Sequence, residues 1–418
     1  MVVQQRLGHL APISYNFADG APDVLNGQSL RAGHYVPVRA QSPSWKSTND
    51  PKGRPMKKLT RPVQKVNAPV LGLDVHQNLI AYCLLDRAGD EVESGSVGGS
   101  PQDLDELLAQ LVFDRRMHVS FEACGGILWI FDALVARVGR QRVHVAQPRR
   151  IRAIANSQTK NDANDAWWLA YLTHEGRLPE SFIPTGELRE LRIATRERIA
   201  TVRARTKVQV RLRGHLRQMG VRLPTVKITA KKGWAVLQEL SAETPGTLGL
   251  VLRTLLQRFE DLEAVVAAWD EEIERLADGL PAVRTLREHV PGVGIALAAT
   301  IASESGPLER FRSPKAFSRY TGLTPSDRST SGRQIHGGIT REGNANLRWA
   351  LTQAAMGCLR ARRGAPMAAG NWIRAKEKRM GSKAKSRVAG ARKLAEQIWR
   401  LFHLGECFDA QRPFGAAT

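Results

Sequence analysis

The chain has 418 residues, more than one hydrophobic core usually serves, which points to about two to three domains. With 42% hydrophobic and 24% charged residues it has a globular composition, which excludes a fibrous or wholly disordered chain. Sixty-two Lys and Arg against 40 Asp and Glu leave a formal net charge of +22, which points to a polyanionic partner such as nucleic acid. A membrane is the weaker partner, because there is no run of about 20 apolar residues and no apolar core of a secretory signal; the chain reads as cytoplasmic. Cys83, Cys124, Cys358 and Cys407 lack the paired spacing of a zinc knuckle or redox motif and read as small buried hydrophobes.

Residues 1–66 are rich in Pro, Gly, Ser and Asn, carry a basic cluster from Lys52 to Lys65, and are expected to be a disordered basic arm. Residues 67–183 form the first expected domain. VLGLDVH, LIAYCLLD ending at Asp86, and a further short strand after the turn at Arg87 to Asp90 predict a three-strand meander. Leu104, Leu107, Leu108 and Leu111 then recur at helical spacing, followed by the strand MHVSFE ending at Glu122, a helix from about Gly126 to Val138, and the strand RVHVAQP. The order βββαβαβ is that of an α/β, RNase H-like domain, closed by a helix starting near Asp162.

Residues 184–284 are expected to be a basic helix and a coiled coil. Thr201 to Lys232 holds ten Lys or Arg and no acid, and predicts a helix up to Gly220. Leu252, Leu255, Phe259, Leu262, Val266, Trp269, Ile273, Leu276 and Leu280 alternate three and four apart. That is a coiled-coil seam or a long helical hairpin, or a face that packs on the basic helix before it. Residues 285–360 are expected to be a mainly helical domain. It opens with Pro291-Gly-Val-Gly294 between apolar stretches, a helix-hairpin-helix-like turn whose backbone N–H groups suit a phosphate. Residues 361–418 are expected to be a basic tail.

Two groups of residues carry candidate chemistry. Asp74 in the first strand and Glu122 at the end of the fourth would be neighbours in an RNase H-like sheet, and Asp162 and Asp165, three apart on a helix, share a face. Four converging carboxylates suit Mg²⁺, and an Asp inside the apolar strand VLGLDVH is costly to bury without a partner. Each acid alone has an ordinary reading as a cap or turn residue. His76 is a candidate for the metal's surroundings.

The second group is SDRSTSGRQIHGG, from Ser326 to Gly338. Its Gly- and Ser-rich turn would expose a serine between Arg328 and Arg333, whose guanidinium groups could stabilise a phosphate in the transition state. A solvated loop that merely touches phosphates is the ordinary alternative. The expected nucleic-acid contacts are Arg203, Arg205, Lys207, Arg211, Arg213, Arg217, Arg328 and Arg333. Trp167, Trp168 and Trp349 read as core residues rather than base-stacking platforms.

LGLDVH with Asp74, FEACGG with Glu122, KNDANDA with Asp162 and Asp165, VPGVG, GLTPSDRSTSGR and GGITREGNANLRWAL together resemble the DEDD transposases of the insertion sequence 110 family, the bridge-RNA-guided recombinases. The resemblance covers about residues 68–360 in order. It implies a RuvC-like domain binding Mg²⁺, a coiled coil for oligomerisation, and a C-terminal transposase domain whose serine becomes covalently joined to cleaved DNA. The family's serine stands in a Ser-X-Gly-Gly-like turn, which matches Ser329. Because Ser331 stands where the first glycine would be, Ser331 is a second candidate nucleophile. The implied partners are donor and target DNA, a structured non-coding guide RNA, and further copies of the chain as a dimer or tetramer. The competing readings are a Holliday-junction or RNase H-like nuclease using metal-activated water, and a nucleic-acid-binding protein with a decayed metal site.

Overall fold

A computed structural model describes residues 64–111, 116–124, 127–148, 150–151, 162–221, 231–330, 333–360 and 368–405. The expected arm lies outside these residues except at its end. There Lys65 pairs with Glu175 at 2.6 Å and the Val66 N–H donates to the His174 carbonyl at 2.8 Å.

Strands β1 (Val70–Val75), β2 (Leu79–Leu85), β3 (Glu91–Gly98), β4 (His118–Glu122) and β5 (Val143–Ala146) form one mixed sheet in the order β3-β2-β1-β4-β5. β1 runs antiparallel to β2 and parallel to β4, as the expected neighbouring of first and fourth strands requires. The β2–β3 turn is built by Asp86, whose Oδ1 accepts the N–H groups of Ala88, Gly89 and Asp90 at 2.8, 2.9 and 3.0 Å.

Because side chains alternate along a strand, β1 serves two cores. Leu71 and Leu73 pack with Leu104, Leu107 and Leu108 of α1 (Pro101–Leu111) and with Ile130, Phe131 and Leu134 of α2 (Ile127–Val138). Val70 joins Ala81, Cys83 and Leu85 against Ala166 and Ala170 of α3 (Asp162–His174) on the other face. A strand covered on both faces reads as a continuous apolar run, and that is why Asp74 stands out in it.

Beyond the sheet, α4 (Gly186–Gln218) and α6 (Gly246–Ala277) lie side by side, with α5 (Lys231–Glu243) packed on them. Arg198 pairs with Asp270 and Arg205 with Glu263, so a step forward on α4 is a step back on α6: the two helices are antiparallel. Leu252, Leu255 and Phe259 pack on Val208, Leu212 and Leu216, while Ile273 and Leu276 pack with Leu191 and Ala194. Of the readings open for this seam, the described chain shows a helical hairpin whose apolar face meets its own basic helix.

The remaining elements are α7 (Pro281–His289), α8 (Ile295–Ser305), α9 (Pro314–Tyr320), the hairpin of β6 (Pro325–Thr330) and β7 (Arg333–Ile339), α10 (Ala345–Arg360), α11 (Ala368–Met380) and α12 (Lys383–Leu404). One core joins Leu191 and Ile273 to Ala298, Phe317, Leu347, Ile373, Leu394 and Ile398. It runs across the expected boundaries at 284/285 and 360/361. Within the expected basic tail, residues 368–405 fold as α11 and α12, because Ala369, Ile373, Ala391, Leu394, Ala395, Ile398 and Leu401 recur at helical spacing and are buried. At the Pro291–Gly294 turn, Gly292 adopts φ +76°, and a Cβ there would lie 2.7 Å from the Cys358 nitrogen. Cys358 Sγ also donates to the Pro291 carbonyl at 3.2 Å, so this turn packs on α10 through its backbone.

Candidate active site

The acidic residues are placed by the sheet. Leu73 pairs with Phe121, so Asp74 and Glu122 are the next residues of adjacent parallel strands. Both share parity with Gly72 and Ser120 and therefore project to the face covered by α3 rather than to the α1–α2 core.

Helix α3 runs antiparallel to β1, since its last residue, His174, bonds Val66 while Ala166 and Ala170 lie over Gly72. The contact at Gly72 leaves no room for a side chain: a Cβ would be 2.1 Å from the Ala166 oxygen and 2.7 Å from the Ala170 nitrogen. The helix start, with Asp162 and Asp165, is thereby directed toward the Asp74 end of the strand. Sequence periodicity named the acids but gave no reason for Gly72; its only mark was a glycine inside a strand, a sign of close backbone approach.

Asp74 is buried, and the neighbouring His76 Nε2 stands 3.0 Å from its Oδ2. Burial of an aspartate is unfavourable without partners or cations, so the donor set suits a hard divalent ion. Among the described residues no group of three His, Cys, Asp or Glu side chains is close enough to hold a metal ion. The Asp162 side chain lies outside the described ones. What points to Mg²⁺ is carboxylate chemistry: the backbone sets Asp74 and Glu122 side by side and directs the start of α3 toward them, while the described side chains of Asp74, Glu122 and Asp165 form no metal-sized group among themselves.

Ser329 lies within β6, opposite Gln334 of β7, and not in a turn as its Gly- and Ser-rich surroundings suggested. Arg328 pairs with Ile335, and Thr330 with Arg333; Ser331 lies outside the described residues, as do the side chains of Arg328, Ser329 and Arg333. At the base of the hairpin, the Thr340 N–H donates to the Thr324 carbonyl at 3.0 Å and the Ser326 hydroxyl to the Gly338 carbonyl at 3.0 Å.

That base is anchored by a residue the sequence reading missed. Glu304, fully buried at the end of α8, accepts from Arg196 Nε and Nη2 at 2.7 and 2.9 Å, from Asn344 Nδ2 at 2.7 Å and from Asn346 Nδ2 at 3.1 Å. Burial raises its carboxyl pKa, but the Arg196 hydrogen bonds and charge, with the Arg192 charge, outweigh that and hold it below the usual range. Asn344 Oδ1 in turn accepts the N–H groups of Asn346 and Leu347, both at 3.0 Å, and so starts α10 directly after the hairpin. A lone glutamate in the small-residue helix IALAATIASES was the available signal.

The cations of α4 divide into two sets. Arg203, Lys207, Arg211, Arg213 and Arg217 are exposed, as a phosphate-binding face requires. Arg205, expected among them, is committed to Glu263 of α6. The acid-free run of sequence is thus partly neutralised from elsewhere in the chain. Trp167, Trp168 and Trp349 are partly buried; Trp167 stacks on Tyr171 at 4.8 Å between centroids, and Trp349 packs on the large helical core.

Comparison with known proteins bears on both regions. The profile of the IS110 DEDD transposases, described as a transposase, matches residues 71–221, which hold the carboxylate strands, α3 and α4. A second profile, the transposase IS116/IS110/IS902 family, matches residues 285–369, which hold Glu304 and the serine hairpin. The chain is 26% identical to a probable family 20 transposase of Pseudomonas aeruginosa, over 69% of this chain and 85% of that protein. It is 24% identical to the transposase for insertion sequence element IS1111A of Coxiella burnetii, over 81% and 91% of the two chains. It is also 28% identical to the transposase for insertion sequence element IS1328 of Yersinia enterocolitica, over 57% and 69%.

Proposed function

This chain belongs to the IS110 family of insertion-sequence transposases, enzymes of DNA strand transfer, and from that premise we propose how its residues divide the work. Asp74, Glu122, Asp162 and Asp165 form a DEDD centre on an RNase H-like (RuvC-like) sheet, and Ser329 is the group that attacks DNA. The observation that carries the reading is the placement of Asp74 and Glu122 at the ends of paired parallel strands under the start of α3.

Bound Mg²⁺ would supply positive charge to the phosphate oxygens of the reacting diester. The protein's own part is positional. The Ser329 oxygen forms a bond to phosphorus as the bond to the leaving deoxyribose oxygen breaks, and the proton lost by the hydroxyl equals the proton gained by the leaving oxygen. One phosphodiester replaces another, so no water or further reactant is consumed and the covalent join can be reversed by the incoming strand. Arg328 precedes this serine and Arg333 pairs with Thr330, so both have the opposite strand parity and suit phosphates on the other face of the hairpin rather than the charge at Ser329 itself.

The exposed cations of α4 hold phosphate backbone, and a structured guide RNA supplies sequence choice by base pairing, as the family resemblance implies. Two DNA ends require at least two active centres, which supports assembly as a dimer or tetramer. Among the described residues no helix is long and apolar enough to cross a membrane.

Quenching the reaction in denaturant tests the nucleophile. A protein–DNA adduct lost in Ser329→Ala and kept in Ser331→Ala is the expected result. The reverse pattern transfers the role to Ser331, and strand cleavage without any adduct favours metal-activated water. Asp74→Asn and Asp165→Asn are expected to abolish cleavage in Mg²⁺; full activity in either removes the acidic centre from the mechanism.

A further inference from the structure

Among the described residues, a second dense group of cations lies at the corner where α11 meets α12. The two helices cross tightly at Ile373 and Gly390, where an added Cβ would lie 2.7 Å from Ile373 Cδ1. From this crossing both run to the junction at Gly381 and Ser382, with Gly381 at φ +62° and the Ser382 hydroxyl accepting the Lys385 N–H at 3.4 Å. Between Ile373 and Gly390 the sequence places Arg374, Lys376, Lys378, Arg379, Lys383, Lys385 and Arg387 against one acid, Glu377.

Further along α12 two cations share an acid. Arg392 and Lys393 approach Glu396 at 3.7 and 3.4 Å. At the corner, Lys378, Arg379, Lys383 and Lys385 are exposed and form no ion pair among the described residues. Lys376 shows how closely the cations of both helices gather. Its ammonium stands 5.2 Å from the Trp372 ring centre, and its pKa is held below the ordinary lysine value by desolvation and then by the charges of Arg379 on its own helix and Arg392 on the next. Such mutual repulsion is unfavourable unless a polyanion offsets it.

We propose that this corner is a docking surface for the backbone of duplex DNA, distinct from the basic face of α4. Duplex DNA is the occupant because the chain is a transposase and because the corner shares a core with the region matched by the transposase profile. Ala369, Ile373, Ala391 and Leu394 pack in one cluster with Leu323 and Leu347, the buried residues on either side of the β6–β7 hairpin. A duplex held here is fixed to the same rigid core that carries the hairpin. The proposal concerns binding alone and stands whether or not Ser329 is the nucleophile.

The test uses the full chain with Lys378, Arg379, Lys383 and Lys385 all changed to Gln. Anisotropy is measured with a random-sequence DNA duplex over a salt series, and in parallel with a hairpin RNA and with anionic phosphatidylglycerol vesicles. Each lost phosphate contact flattens the slope of log affinity against log salt by about 0.9, so a slope shallower by about 2 to 4 is expected with the duplex, at unchanged thermal midpoint. An unchanged duplex slope, or a loss confined to RNA or to vesicles, overturns the proposal. Combining these changes with Arg211→Gln, Arg213→Gln and Arg217→Gln should add the two slope losses; a combined loss no larger than either one alone contradicts two separate surfaces. If the fourfold variant melts early, Lys378→Gln with Lys385→Gln should give about half of its slope change.

Discussion

Arg196 and Glu304 meet in a two-point ion pair, Nε to Oε1 at 2.7 Å and Nη2 to Oε2 at 2.9 Å, and thereby tie the long basic helix to the base of the serine hairpin. Asn344 and Asn346 hold the same carboxylate from the other side. The carboxyl pKa in the folded chain lies below the ordinary value of 4.5. A depressed carboxyl pKa adds stability that is fully present above the unfolded value and is lost as pH falls through the folded one. The melting temperature of Glu304→Gln is therefore expected to lie furthest below that of the parent above pH 4.5, with the gap closing on further acidification. Arg196→Met should cost about 2 kcal/mol, less than the roughly 3–5 of a fully buried pair, since the Arg196 side chain is half exposed. A melting gap between parent and Glu304→Gln that stays constant with pH would separate this carboxylate from acid stability.

Gly72 controls the approach of α3 to the sheet. Gly72→Ala inserts a methyl group 2.1 Å from the Ala166 oxygen, so the helix must move and carry Asp165 with it. Overpacking of this kind costs about 1–3 kcal/mol. Strand cleavage should fall by more than this stability loss explains, because a stable but displaced helix no longer sets the carboxylates. Equal cleavage by a folded Gly72→Ala protein would show that the helix position is not limiting.

The cations of α4 should act unequally in nucleic-acid binding. Changing exposed Arg211, Arg213 and Arg217 to Gln should flatten the salt slope by about 2 to 3. Arg205→Gln should leave the slope nearly unchanged and lower the melting temperature slightly, because Arg205 is partnered by Glu263. A slope that responds to Arg205 as strongly as to Arg211 would mean that the pair opens when nucleic acid binds.

The apolar stripe of α6 is expected to govern folding rather than assembly. Ile273 is fully buried beside Leu191 and Ala194, so Ile273→Ala should cost about 2–5 kcal/mol without lowering the mass of the folded species in light scattering. Dissociation into lighter, still folded particles would instead place the stripe between subunits.

Much of this protein is determined locally. The alternation in VLGLDVH and LIAYCLLD, the leucine spacing of α1 and the apolar spacing of α6 name their elements, since side-chain burial follows the period of a strand or helix. The strand positions of Asp74 and Glu122 were legible for a related reason, since β1 and β4 were named by their apolar residues and the order of elements made them neighbours. Tertiary structure alone decided which surfaces meet. The seam of α6 was open to several partners, and burial against Val208, Leu212 and Ile273's neighbours on α4 chose the chain itself. Arg205 looked free because its neutralising acid, Glu263, comes from another helix. The basic stretch after residue 360 looked like a tail because its charges dominate its composition, yet the alanines and leucines between them fill a core that periodicity could suggest but not locate. Glu304 was hidden for the same physical reason: a buried carboxylate is recognisable only through the partners that stabilise it, and here they come from α4 and from the segment leading into α10.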